Sequence, residues 1–319
     1  MTDAHRLSLD RIAQAAGVID PVFLNSPQFR VESLESMLGC RLVIKVETLN
    51  PIRSFKGRGA EYLVASLDGH PHLVCATAGN FGQGMAYAAR KRRLSITIFA
   101  CKTANPLKVQ RMRALGADVR LTGEDFDEAH ESAKVFAVEN GAVLIEDGRE
   151  PALGEGAGTI GLELLRFPER FDSILVPLGD GSLLAGIARW VKANQPSTQM
   201  IGVCASGAPA MERSWRSMKV QQLDRAETIA DGLAVTAPFP EALGDLIGLV
   251  DDILLVDDET LVTAIRHAHE AIGLVLEPSG AAGLAALLTY RERFEGQLIG
   301  TILSGGNVTV DQMRQWLAS

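Results

Sequence analysis

Residues 73–84, Leu73-Val74-Cys75-Ala76-Thr77-Ala78-Gly79-Asn80-Phe81-Gly82-Gln83-Gly84, pass from a short apolar run straight into a small, glycine-rich turn. Two other runs end the same way, at Gly179-Asp180-Gly181-Ser182 and at Ser304-Gly305-Gly306-Asn307. A short apolar run with β-branched residues, bounded by a glycine turn and followed by helical periodicity, is the pattern of a buried parallel strand feeding a helix. In such sheets ligands bind beyond the carboxyl ends of the strands, where these three turns lie.

The same alternation extends along the chain. It predicts strands over 42–46, 73–77, 95–100, 142–145, 173–177, 200–205, 253–256 and 298–303. Helices are predicted from Lys56 onward, from Pro106 to near Gly116, and over about 126–139, 183–194, 258–272 and 280–291. The fold class is therefore α/β. No repeat or low-complexity tract interrupts it. The glycine-rich segment 148–161 reads as the best boundary between two closely joined domains, and the irregular stretch 220–248 as a surface excursion.

The 319 residues, 47% hydrophobic and 22% charged, suit an ordinary globular protein of one large or two medium domains. With 31 basic against 39 acidic residues the net charge is −8, so no overall field draws nucleic acid or an anionic membrane. Cys40, Cys75, Cys101 and Cys204 lie far apart, without zinc spacing, as buried cysteines of a reducing compartment would. The charged amino-terminal stretch lacks the apolar core of a signal peptide, and no window is apolar enough to span a bilayer. A cytoplasmic location is expected.

Each glycine turn has two readings. It lets a helix pack closely on the sheet, or it presents free backbone N–H groups to an anion such as a phosphate. The segment 179–186 is GDGSLLAG rather than GxGxxG, and no GxxxxGK[ST] occurs, so a dinucleotide and a P-loop are disfavoured. Lys56, between Phe55 and Gly57 at the start of a helix, has two readings as well. An isolated lysine is a solvated one; a desolvated lysine near Arg53 and Arg58, beside a phosphate-binding turn, is prepared as a Schiff-base nucleophile.

In order along the chain, SFKGRGA (54–60), TAGNFGQG (77–84), GDGSLLAG (179–186), LEPSGAAGLAAL (276–287) and LSGGN (303–307) resemble the fold type II pyridoxal-phosphate enzymes. Within that family they look most like the threonine/serine dehydratase (ammonia-lyase) branch. The resemblance implies a two-domain, tryptophan synthase β-like fold with parallel-rich sheets flanked by helices. Residues 1–70 with 148–319 would form the larger, cofactor-binding domain, and 71–147 a smaller inserted one. It implies pyridoxal 5'-phosphate as cofactor, a small amino-acid substrate, and a homodimer or homotetramer. By the same resemblance Lys56 would carry the cofactor and move the α-proton, Phe55 would lie against its ring, and Asn80 would bond its 3-hydroxyl. Thr77, Ala78, Gly79, Asn80 and Phe81 would grip the substrate carboxylate. Gly179, Asp180, Gly181, Ser182 and Leu183 would cradle the phosphate, and Ser304 would face the ring nitrogen. Glu277 reads either as a carboxylate near that ring or as a helix N-terminal charge.

The implied reaction is α,β-elimination from a β-hydroxy L-amino acid such as L-threonine or L-serine, giving a 2-keto acid and ammonia. A neutral partner at the ring nitrogen suits elimination better than a long-lived carbanion. Departures narrow the reading. Ala78 stands where racemising members carry a serine, so racemisation is expected to be weak or absent. Phe81 stands where histidine is common, keeping bulkier substrates such as phenylserine open. Cys204, Ala208 and Ala210 replace carboxylate metal ligands, so no activating metal is expected there. With Ser319 following soon after LSGGN, no carboxyl-terminal regulatory domain is expected. Asp180 is expected to point away from the phosphate or to cap an amide. The alternatives are a β-replacement or threonine-synthase-like enzyme of the same fold and, from another class, a non-catalytic cofactor or amino-acid binding protein.

Overall fold

The computed structural model describes residues 5–317. The first four residues of the amino-terminal stretch, and Ala318 and Ser319, lie outside the described residues. Among the described residues there are ten strands: β1 (Gln28–Arg30), β2 (Arg41–Val46), β3 (Leu73–Ala76), β4 (Ile96–Ala100), β5 (Asp118–Leu121), β6 (Val143–Leu144), β7 (Ser173–Pro177), β8 (Gln199–Ala205), β9 (Asp252–Val256) and β10 (Leu298–Leu303). They form a six-stranded sheet, β1-β2-β10-β7-β8-β9, and a four-stranded one, β5-β4-β3-β6. Apart from the antiparallel β1–β2 pair, every pairing is parallel.

The apolar runs follow from helices covering both faces of the larger sheet. Successive residues of β2 serve opposite sides. Leu42, Ile44 and Val46 pack into one core with Leu284, Ala285 and Leu303, while Val43 enters the other with Ile174, Val176 and Leu184. A third core, including Leu63, Met85 and Ile98, lies under one face of the smaller sheet.

The glycine-rich segment expected as a boundary is mostly the buried helix Pro151–Leu164. Its glycines serve close packing rather than flexibility. A Cβ on Gly186 would fall 2.0 Å from the Gly154 carbonyl oxygen and 2.7 Å from the Gly158 nitrogen. A Cβ on Gly156 would fall 2.6 Å from the Arg58 oxygen. The helices Lys56–Ala65, Pro151–Leu164 and Ser182–Asn194 thus pack backbone to backbone, tying the lysine-bearing helix to the one that follows the second glycine turn. Backbone cannot yield as a side chain can, so Gly186→Ala is expected to destabilise the fold by about 3 kcal/mol, the upper end for overpacking. An unchanged urea midpoint would show that the helices can separate freely.

The stretch 220–248 is also more than a surface excursion. It holds the turn Asp231–Leu233 and the helix Pro240–Leu246, with Leu233, Leu243 and Leu246 buried. The Gly232 carbonyl lies so close to Gly179 that a Cβ there would approach within 2.2 Å. The apolar-run pattern does not predict β1 and β5. Both are short edge strands, mostly exposed, with Val119 buried and Gln28 half-buried, and their charged sequences QFR and DVRL carry no apolar run.

Candidate active site

The lysine turn is built by Asn50, whose side-chain oxygen accepts from the Ile52 and Ser54 N–H groups at 3.1 and 3.3 Å. The Phe55 N–H donates to the Ser304 oxygen and the Gly306 N–H to the Arg53 oxygen, both at 3.0 Å. The first and fifth motifs are thereby stitched together, and helix Lys56–Ala65 starts on that seam. Lys56 Nζ lies 5.0 Å from the Phe55 ring centre and 5.9 Å from that of Phe81, and it donates to Asp147 Oδ2. Neither arginine expected to act on this amine does so directly. Arg53 is exposed, and Arg58 turns away to bond Glu47 and Glu163. The amine's charged neighbour is a carboxylate.

At the end of β3 the Gly79 N–H donates to Thr77 Oγ1 at 3.1 Å, and the helix Asn80–Lys91 begins with no side-chain cap. Its first N–H groups are thus available to an anion beside Thr77, Ala78 and Gly79. Phe81 is buried in the smaller sheet's core and walls the lysine. Asn80 Nδ2 donates to Glu277 Oε1 at 2.5 Å, and Asn80 Oδ1 accepts from Asn307 Nδ2 at 2.7 Å. Glu277 Oε2 accepts from the Asn307 N–H at 3.2 Å. Glu277 is therefore a buried hub under Asn80 and also stands at the start of the helix Pro278–Thr289. Burial raises its carboxyl pKa, opposed by the Lys108 ammonium 3.8 Å away. Ser304 is 4% exposed.

Gly181 precedes the helix Ser182–Asn194 in the left-handed region, φ 100°, and no side chain caps that helix either. Gly179, Gly181, Ser182 and Leu183 surround its free N–H groups, the arrangement that suits an anion. Asp180 is half-buried in the same turn. Burial and the neighbouring Asp147 push its carboxyl up to about 7. Ser182 Oγ lies 3.5 Å from Asp147 Oδ1, which links this turn to Lys56.

Several site residues escape the sequence reading. Lys108, 2% exposed, pairs with Asp231 as well as Glu277. Although burial disfavours its charge, these carboxylates hold the ammonium above its usual range. Arg111 bonds the side chain of Asn307. Asn307 belongs to a quoted motif without a role there, and Asp147 lies at the edge of the expected boundary. Lys108 has one usable signal, its position in a helix opened by Pro106 after a predicted strand. Cys204 is buried, donates to the Leu178 oxygen, and has its thiol pushed up to about 12 by burial. Among the described residues, no group of three or more His, Cys, Asp or Glu could hold a metal, and no helix is long and apolar enough to cross a membrane.

A lysine amine, two uncapped helix N-termini and a half-buried carboxamide thus lie at the carboxyl ends of strands in two parallel-rich sheets. Residues 19–305 match the family described as pyridoxal-phosphate dependent enzyme, and the chain belongs to that family. It is 36% identical over 276 residues to the L-threonine ammonia-lyase of Geobacter sulfurreducens, covering 86% of this chain and 69% of that one. Among solved structures it resembles the processed form of threonine deaminase isoform 2 from Solanum lycopersicum, with a TM-score of 0.89 and 31% identity over 97% of this chain and 88% of that one. It also resembles maize serine racemase, with a TM-score of 0.91 and 31% identity over 97% and 96%. The two-sheet α/β fold and the cofactor class agree with the sequence reading.

Proposed function

We propose that this enzyme removes water and then ammonia from a β-hydroxy L-amino acid of the L-threonine or L-serine type, giving a 2-keto acid. The observation that carries the reading is the contact of Asp147 with both Lys56 and Ser182, with Asn80 opening the helix after the first glycine turn. The relatives named for acting on threonine support it. The donor set fits pyridoxal 5'-phosphate. An uncapped helix with a left-handed glycine before it suits the phosphate, and burial disfavours the charged form of Asp180 in the same turn.

In this reading Gly179, Gly181, Ser182 and Leu183 hold the phosphate through their N–H groups and the Ser182 hydroxyl. With the cofactor bound, Phe55 would lie against the ring, Asn80 would bond its 3-hydroxyl, and Ser304 would offer a neutral partner to its nitrogen. When bound, the cofactor supplies an electron-withdrawing ring conjugated to the substrate nitrogen, which acidifies the α-hydrogen. The freed Lys56 amine takes that proton. The N–H groups of Asn80 and Phe81, beside Thr77, Ala78 and Gly79, hold the substrate carboxylate, and Phe81 keeps water from the amine. Ala78 carries no transferable proton, so nothing at that position can reprotonate the α-carbon from the opposite face, and elimination prevails over racemisation. We assign residues 71–147 to a smaller domain closing on the larger one, and, from the resemblance, a cytoplasmic homodimer or homotetramer.

The test is the visible spectrum of the cofactor-loaded protein before and after L-threonine, with 2-oxobutanoate followed in the same sample. A cofactor band that shifts while keto acid accumulates is expected. A band without keto acid from either L-threonine or L-serine overturns the elimination.

A further inference from the structure

The carboxamide of Asn80 is held by groups whose donor and acceptor roles are fixed. Its Oδ1 accepts from Asn307 Nδ2 at 2.7 Å and from Gln83 Nε2 at 3.3 Å, which occupies both lone pairs. Its Nδ2 donates one hydrogen to Glu277 Oε1 at 2.5 Å, so one N–H of the carboxamide is left over. Asn307 is oriented in the same way. Its Nδ2 donates its other hydrogen to the Ile52 oxygen at 2.8 Å, and its Oδ1 accepts from Arg111 Nη1. A guanidinium can only donate and a carboxylate can only accept. With Arg111 at one end of this chain of bonds and a charged Glu277 at the other, the Asn80 amide has one orientation, and its spare group is a donor.

Both ends of the chain answer to one short helix. Lys108 and Arg111 lie three residues apart on Pro106–Ala114, hence on one face of it, and the Asn105 side chain caps its start by accepting from the Leu107 N–H at 3.0 Å. Among the described residues Lys108 is the cation that pairs with Glu277, at 3.8 Å, and it also bonds Asp231. The two carboxylates depend on it unequally. The Asp231 side chain is 53% exposed, where water serves it, whereas that of Glu277 is 5% exposed. At Glu277 burial and Asp231 favour the neutral acid, against the Lys108 ammonium and the N–H groups of Asn80 and Asn307. A neutral acid carries an O–H that can donate to an amide oxygen, and the orientation of Asn80 would then no longer be forced.

We propose that Lys108 and Arg111 are positioning residues that fix the Asn80 carboxamide as a hydrogen-bond donor to the cofactor's 3-oxygen, Lys108 through Glu277 and Arg111 through Asn307. A donor at that oxygen favours its deprotonated form. The proton then stays on the nitrogen that Lys56 contributes, and the cofactor remains strongly electron-withdrawing. The inference rests on the placement of Asn80 at the 3-oxygen given above, and not on which substrate is eliminated.

The cofactor absorbs at shorter wavelength with its 3-oxygen protonated than with it deprotonated, so the ratio of the two bands in the loaded, substrate-free protein reads this contact. Titrating pyridoxal 5'-phosphate into the cofactor-free protein gives its Kd. Lys108→Met is expected to shift the ratio about fivefold towards the short-wavelength band and to weaken cofactor binding by a similar factor, the scale of one ordinary hydrogen bond. Arg111→Met is expected to shift the ratio in the same direction. In a Glu277→Gln background, which has no charge for Lys108 to balance, Lys108→Met should change the ratio no further. An unchanged ratio in either single variant overturns the role given to that cation. An equal shift with and without Glu277→Gln overturns the action through Glu277 and leaves Lys108 a packing residue. Arg111 is only half-buried, so its variant keeps the proposal open to refutation where Lys108→Met does not fold. Asn80→Ala separates this inference from the reading beneath it. A ratio unmoved by Asn80→Ala removes Asn80 from the 3-oxygen and sinks both, whereas a ratio moved by Asn80→Ala but not by Lys108→Met or Arg111→Met sinks this inference alone.

Discussion

With Lys56 replaced by alanine, the protein is expected to fold and to lose its chemistry. The side chain is 16% exposed and its recorded polar contact is the ion pair with Asp147, so the core loses little. The reaction loses far more. In the proposed mechanism the same amine holds the cofactor covalently and moves the α-proton, and general-base catalysis alone is worth about 10²–10⁴-fold. A fall in turnover of at least about 10³-fold is expected. A second readout separates this from general damage. After borohydride reduction the unaltered protein should gain the mass of one phosphopyridoxyl group on the peptide containing residue 56, and the variant should not. Label appearing on a different lysine would refute the assignment.

The largest expected change in stability is at Arg58, two residues further on. Its guanidinium is fully buried, donating to Glu47 at 2.8 Å twice, to Glu163 at 2.7 and 3.0 Å, and to Thr159 at 3.0 Å. Lys45, also buried, adds a 2.6 Å contact with Glu163. Two cations and two carboxylates therefore balance inside the protein. Removing one cation leaves an uncompensated buried charge, and Arg58→Met is expected to cost about 3–5 kcal/mol, read from urea unfolding at neutral pH. The acid side supplies a check. Burial would raise Glu163, but Arg58 and Lys45 override it and hold the carboxyl at about 2. A depressed folded pKa stabilises the fold above the ordinary value of 4.5, and that contribution fades as pH falls towards 2. The variant should show a weaker loss of stability across this window. Equal acid sensitivity in both proteins would mean that the guanidinium is not what depresses Glu163.

How far the sequence discloses this molecule depends on whether a residue's partners are local. β7 and β10 begin and end where their apolar runs do, because both faces are buried and every position bears the same constraint. The helix Asp258–Ile272 is equally plain, with Asp257 capping its start and Gly273 ending it in the left-handed region. The helix Pro151–Leu164 reads as a boundary because its glycines answer to other helices, which a linear reading cannot see. The site divides in the same way. Lys56, Asn80 and the turns at 179–183 and 304–307 stand out because each is a local motif at a strand or helix end. The Lys108–Asp231 pair joins residues 123 positions apart, and Lys56 meets Asp147 across 91. In the sequence each of these resembles any solvated charge. Glu277 leaves two readings open for the same reason, since only the positions of Asn80, Asn307 and Lys108 show it to be buried among partners.

The order of strands carries a consequence for how the chain is made. In the larger sheet β10, residues 298–303, lies between β2 and β7, pairing with residues 41–46 on one side and 173–175 on the other. While the chain is emerging from the ribosome, β2 and β7 have no shared neighbour, and the sheet remains split until the last strand is delivered. The smaller sheet needs only residues 73–144 and can close much earlier. The first glycine turn therefore has its sheet in place during synthesis. The lysine turn gains its seam with residues 304–306 only once nearly the whole chain exists, so an incomplete chain has the turn at 77–81 without the seam that fixes the lysine turn.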